Sequence, residues 1–87
     1  MPTLELYGQA RLLAGTRSVS LPAATLGDAL KALATRHPEL IGPVLQADGR
    51  LTPAYSTNIN GLRFCSDPTE PLAETDEVLI ISSLAGG

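Results

Sequence analysis

Tryptophan is absent from this 87-residue chain, and Tyr7, Tyr55 and Phe64 are its only aromatic residues. A core must therefore be assembled from Leu, Val, Ile and Ala. There is one cysteine, Cys65, so no disulfide can form within the chain. Cys65 reads as a small apolar packing residue rather than a reactive thiol. One histidine, His37, and one lysine, Lys31, complete the list of scarce groups. A single His and a single Cys, without metal-ligand spacing, leave nothing from which to build a nucleophile-and-base pair or a metal site. No cofactor is expected to bind. No apolar run approaches the ~20 residues of a membrane span. The opening "MPTLELYG" lacks the charged start and long apolar stretch of a secretory signal. A cytoplasmic location is the expectation. Six basic against nine acidic residues give a net charge of −3, which disfavours nucleic acid and anionic membrane as partners.

What is present suffices for one packed domain. Hydrophobic residues make up 44% of the chain and charged residues 17%, which places it among globular rather than disordered sequences. "TLELYG" alternates, with Leu4 and Leu6 on one face, and "RSVSLP" alternates again with Val19 and Leu21 inward. The intervening "QARLLAGT" reads as a short connection turning at Gly15, so the two segments predict an antiparallel hairpin. A helix is predicted from Thr25. The Thr25 hydroxyl can cap the first turn, with Asp28 three residues on, and Leu26, Ala29, Leu30 and Leu33 form one apolar stripe. Pro38 bars continuation. His37, without a Cys, Ser or carboxylate in local reach, is assigned to the helix end as a cation.

Residues 38–55 are broken by prolines and glycines and carry no clear period. "AYSTNING" then alternates into Asn60-Gly61, a tight-turn signal, and "LRFC" returns. "DPTEPLAETD" is a polar loop with room for a helical turn. "EVLII" is a continuous apolar run of the kind found in central strands. Its alternation sends either Val78 and Ile80 or Leu79 and Ile81 toward the helix, and the other pair outward. Outward apolar residues beside Tyr7 or Phe64 would form a partner-binding patch unless "QARLL" or the irregular region covers them. Asp67, Glu70, Glu74, Asp76 and Glu77 crowd one segment, a solvated loop face or a docking patch in which Glu74 and Asp76 are the candidates. A hairpin, one helix and returning strands describe an α+β fold with a mixed sheet and one main helix across one face, the ubiquitin-like β-grasp.

Pro71-Leu72, Asp76-Glu77-Val78 and the terminal Gly86-Gly87 together follow a "PL-x-x-x-D-E-V" segment with an "A-G-G" ending. In this the chain resembles, over essentially its whole length, the ubiquitin-related sulfur carriers that include the small subunit of molybdopterin synthase and the thiamine sulfur carrier. The resemblance implies a domain over 1–82 and a flexible tail over 83–87 that carries the reactive group. An adenylyltransferase related to ubiquitin-activating enzymes would use ATP to join AMP to the Gly87 carboxylate, and a sulfur donor protein would displace AMP to leave a thiocarboxylate. An acceptor such as the molybdopterin synthase large subunit would then take the sulfur, so the chain is a co-substrate and not an enzyme by itself. The chemistry suits the residues. Gly87 has no side chain to obstruct attack at its carbonyl, and Gly86 gives the backbone freedom to enter a narrow channel. Leu84 and Ala85 extend the apolar character into the tail, and with Leu79, Ile81 and Phe64 they are the candidate partner-binding residues.

Two departures from the pattern bear on the pathway. Many members carry prolines before the last four residues, where this chain has Ser82-Ser83-Leu84. Its middle region is longer than in the thiamine carriers. Molybdopterin synthesis is the expected destination, with a carrier for cysteine or another sulfur metabolite as the alternative within the family. A ubiquitin-like modifier joined to a target lysine through Gly87 is the alternative outside it, although Lys31 alone gives polymers little to grow on.

Overall fold

The computed structural model describes residues 1–82. In chain order it contains β1 (Thr3–Leu6), α1 (Gly8–Ala14), β2 (Ser18–Ser20), α2 (Leu26–Arg36), a 3-10 turn (Pro38–Leu40), β3 (Tyr55–Ile59), β4 (Arg63–Phe64) and β5 (Glu77–Ser82). The five strands form one mixed sheet in the order β2-β1-β5-β3-β4. β5 lies at the centre, parallel to β1 and antiparallel to β3, as its unbroken apolar run requires.

Register settles which way β5 faces. Val78 pairs with Leu4 and Ile59, and Ile80 pairs with Leu6 and Thr57. Val78, Ile80 and Leu4 are fully buried. They share one cluster with Leu26, Ala29, Leu30 and Leu33, the stripe of α2. Leu79 and Ile81 point to the opposite face and are half-buried. The irregular region contributes Leu40, Val44 and Leu45 to the α2 side of the sheet, all fully buried, so it packs into the core cluster.

The α2 boundaries follow local chemistry. Thr25 is the N-cap and its hydroxyl accepts from the Asp28 amide at 3.2 Å. Two long-range bonds also seat this end: the Leu26 amide donates to the Glu70 carbonyl, and the Gly27 amide donates to that of Pro68. Contact here is close enough that a Cβ on Gly27 would lie 2.9 Å from the Pro68 carbonyl oxygen. At the other end, Pro38 opens the 3-10 turn, as its fixed φ and missing N–H allow.

Three expectations need correction. "QARLLAGT" contains a helix rather than a bare turn. α1 has no side-chain N-cap, and at seven residues it is far below the ~12–15 at which an isolated helix becomes marginal in water. It persists because Ala10 is fully buried and Leu13 and Ala14 pack on the core. Gly15, at φ 72°, ends it in the left-handed region. The β1–β2 pairing is antiparallel as expected, but its connection is this helix. His37 does have a carboxylate partner: its Nδ1 lies 2.9 Å from Glu39 Oε2, brought there by the turn at Pro38. In "DPTEPLAETD" the residues form turns without a helix.

Candidate functional site

Gly87, Gly86, Ala85 and Leu84, the residues the sequence marks most strongly, lie outside the described residues. What the structure places is the platform from which they leave. Ser82, the last residue of β5, pairs with Tyr55. Ile81 and Leu79 precede it on the sheet face opposite α2.

That outer face is built by alternation across four strands. Glu5 on β1, Leu79 on β5, Asn58 on β3 and Phe64 on β4 are consecutive cross-strand partners. Ile81 faces Ser56 in the next rank. Phe64 is 68% exposed and Leu62, in the turn beside it, 84%. Tyr7, exposed at the end of β1, donates its hydroxyl to Glu5 Oε2 at 3.1 Å, which holds the phenol proton and raises its pKa. Leu79, Ile81 and Phe64 thus share one face of the sheet, Phe64 exposed and the other two half-buried, with Glu5 and Glu77 beside them.

Asp76 and Glu74 have different surroundings. Asp76 closes a clasp. Its Oδ1 accepts from Asn60 Nδ2 at 3.0 Å, its Oδ2 accepts from the Ala73 amide at 2.8 Å, and its carbonyl accepts from the Thr3 amide. Asn60 answers through Oδ1, which accepts from the Glu77 amide, while its own amide donates to the Glu77 carbonyl at 2.7 Å. Asn60 (φ 59°) and Gly61 (φ 71°) both take positive φ, the geometry of a type I′ turn. The sequence features Asn60-Gly61 and Asp76-Glu77 thus meet in space, tying the β3–β4 turn to the start of β5. Glu74 is exposed on the loop and points to a surface role. Asp67 accepts from the Thr69 amide and hydroxyl, and Glu70 pairs with Arg63. The acidic segment is therefore partly a set of turn-forming bonds.

The hydrogen bonds from Asn60, and then from Ala73, hold the Asp76 carboxyl below its ordinary pKa. A lowered folded-state value means stability that is fully present above the unfolded aspartate value of about 3.9, and that is lost as pH falls below it. We expect Asp76→Asn to unfold at lower temperature than wild type at pH 7. The gap should narrow as the pH is taken below about 4. A gap that stays constant across a thermal series from pH 7 to pH 3 would show that the clasp does not depend on charge.

Among the described residues no group of three or more His, Cys, Asp and Glu could hold a metal ion. No helix there is long and apolar enough to cross a membrane. An open groove of about 900 Å³ runs between α2 and the β3–β4 side, floored by Leu26, Leu30, Leu51 and Tyr55. Its rim carries Lys31 and the Asp48–Arg50 ion pair. One residue escaped the sequence reading altogether. Asn58 is only 7% exposed, and its Oδ1 has no hydrogen-bond partner among the described residues. The alternation of "YSTNI" gives its face, but nothing in the sequence announces an unpaired amide.

A mixed sheet ordered β2-β1-β5-β3-β4, with a helix packed across one face, defines a ubiquitin-like β-grasp protein, the fold of small carriers and modifiers. The chain belongs to the ThiS family, whose model matches residues 4–87. It is similar to the crystal structure of SAMP1 from Haloferax volcanii, at 31% identity and a TM-score of 0.83, covering 99% of this chain and 98% of that one. The solution structure of the small archaeal modifier protein 1 from Methanosarcina acetivorans matches at 22% identity and a TM-score of 0.82, over 99% of this chain and 95% of that one. A chain of the Amycolatopsis orientalis BexX/CysO complex shares the fold at 18% identity and a TM-score of 0.79, over the full length of both. No curated protein sequence matches.

Proposed function

We propose that this protein is a sulfur carrier whose Gly87 carboxylate is adenylated by a partner enzyme and converted to a thiocarboxylate. The observation that carries the reading is the family match, which runs through Gly86-Gly87 to the end of the chain. ATP serves the partner adenylyltransferase, which transfers AMP to the carboxylate and releases pyrophosphate. A sulfur donor protein then displaces AMP, and an acceptor enzyme takes the sulfur, in this proposal the large subunit of molybdopterin synthase. The carrier supplies no acid, base or nucleophile of its own, and works in the cytoplasm where these partners and ATP are found. Intact-mass spectrometry after incubation with the matched adenylyltransferase, ATP and a sulfur source tests this. An oxygen-for-sulfur mass change is expected, and its absence with a validated enzyme sinks the carrier reading.

A second reading is favoured by the 31% identity to SAMP1, since a related solved structure is described as a small archaeal modifier protein 1. Here the same adenylate would end in an isopeptide with a target lysine. Delivery of sulfur to cysteine or another metabolite is the third destination, and Gly87 is activated in all three.

Docking is the work of the sheet face and of Glu74. Surface charge mostly sets the rate of encounter. Glu74→Gln, which leaves the Asp76 clasp intact, should slow association with the adenylyltransferase by about twofold at low ionic strength and by less at high salt. Stopped-flow rates that do not change at low salt would make Glu74 merely a solvated side chain.

A further inference from the structure

The outer sheet face carries a feature that apolar contact alone does not explain. Asn58 stands in the middle strand of the rank Leu79–Asn58–Phe64, with an apolar Cα partner on each side. It is only 7% exposed, yet its Oδ1 is left without a hydrogen-bond partner among the described residues. A buried acceptor that has lost water and gained nothing costs the fold free energy, and such groups are rare in folded proteins. A valine or leucine here would satisfy an apolar rank better. The orphan acceptor and the exposed Phe64 beside it are two separate observations that mark the same spot.

We infer that Asn58 is a recognition residue for the enzyme that activates Gly87, accepting a hydrogen bond from a donor that this enzyme inserts between Phe64 and Leu79. The inference rests on the reading of Gly87 as the group to be activated. Three observations select the occupant. Residues 83–87 follow directly from the strand that carries Leu79 and Ile81, and five residues span at most about 17 Å. A protein that holds Gly87 in its active site is therefore kept within that distance of this end of the sheet. Glu5 borders the patch on β1 and Glu77 lies two residues before Leu79 on β5, so the fitting surface is apolar at its centre, basic toward these carboxylates and equipped with one N–H or O–H donor. A second copy presenting the same face would set these carboxylates against their own kind, which disfavours self-association. Activation is also the step shared by the carrier and modifier readings, so the activating enzyme is the partner that every route requires.

The test compares wild type with Asn58→Leu, which removes the acceptor at similar volume, and Asn58→Thr, which keeps an acceptor on a β-branched side chain. Each is titrated by calorimetry against the adenylyltransferase of the source organism, and each is melted alone. We expect Asn58→Leu to melt at or above the wild-type temperature and to bind about five- to a hundredfold more weakly, because the enzyme's donor is left unpaired in the complex. Asn58→Thr should retain more of the affinity than Asn58→Leu. A lower melting temperature for Asn58→Leu overturns the inference, because the amide would then serve the monomer. Equal affinity of Asn58→Leu and wild type overturns it as well, while adenylation of wild type leaves the carrier reading standing. A wild-type chain that is dimeric by sedimentation, and monomeric as Asn58→Leu, assigns the face to a second copy and overturns it too. If wild type is neither bound nor adenylated, the functional reading itself fails, and this inference falls with it.

Discussion

A chain shortened by Gly87, or lengthened by one residue beyond it, will not be adenylated and will keep the wild-type unfolding transition. Both halves follow from where the fold ends. Among the described residues the core cluster runs from Leu4 to Ile80, and β5 closes at Ser82, so none of the contacts that build this core needs Gly87. The carboxylate, in contrast, must meet the α-phosphate of ATP at bonding distance. Adding or removing a residue moves it by ~3.3–3.6 Å along an extended chain. Misplacement by as little as 1 Å can cost about 10²-fold in rate. An added residue other than glycine also puts a Cβ beside the carbonyl that is to be attacked. Pyrophosphate exchange and intact mass read the activation, and calorimetry reads the fold. A shortened chain that is still adenylated would show that the enzyme does not read the position of the terminus. A shortened chain that unfolds early would mean the tail belongs to the packed structure.

Much of this was legible because the informative patterns were long or chemically narrow. Leu26, Ala29, Leu30 and Leu33 at helical spacing, with Thr25 before them and Pro38 after, admit one interpretation, and α2 spans Leu26–Arg36. Asn60-Gly61 requires positive φ at both residues, so a turn was the only outcome. α1 was hidden because its helical character comes from tertiary burial of Ala10 rather than from length or caps. Similarly, the pairing of His37 with Glu39 depends on a 3-10 turn that bends the chain back within two residues. From the sequence Asp76 reads as a docking-patch charge and as part of the Asp76-Glu77-Val78 segment, not as a structural clasp. Its bonds to Asn60 and Ala73 join residues up to 16 apart, and charge counting along a segment cannot find them. The same limit concealed Asn58, since an orphan acceptor is a property of its surroundings.

The facing of the final strand was undecidable from "EVLII", because four apolar residues in succession satisfy either register. Its resolution carries the second large effect: Ile80→Ala should lose about 2–5 kcal/mol of stability. Ile80 is fully buried between Leu6 on one neighbouring strand and Thr57 on the other, so the deleted atoms leave a cavity that a central strand cannot collapse into. For a domain of this size, 1 kcal/mol corresponds to about 4–8 °C, so the midpoint should fall by at least about 8 °C. Against a typical total of about 5–15 kcal/mol, the variant sits near the limit of folding. Leu79→Ser and Ile81→Thr act on the other face. Each is half-buried and opens no enclosed cavity, so about 1 kcal/mol apiece is expected. Their larger effect should fall on affinity for the adenylyltransferase, because they remove the apolar surface leading into the tail. Denaturant melts of the three single variants, with titrations against the enzyme, separate the two faces. Comparable stability losses at 79, 80 and 81, with affinity unchanged at 79 and 81, would mean that both faces are buried within the monomer and that partners dock elsewhere.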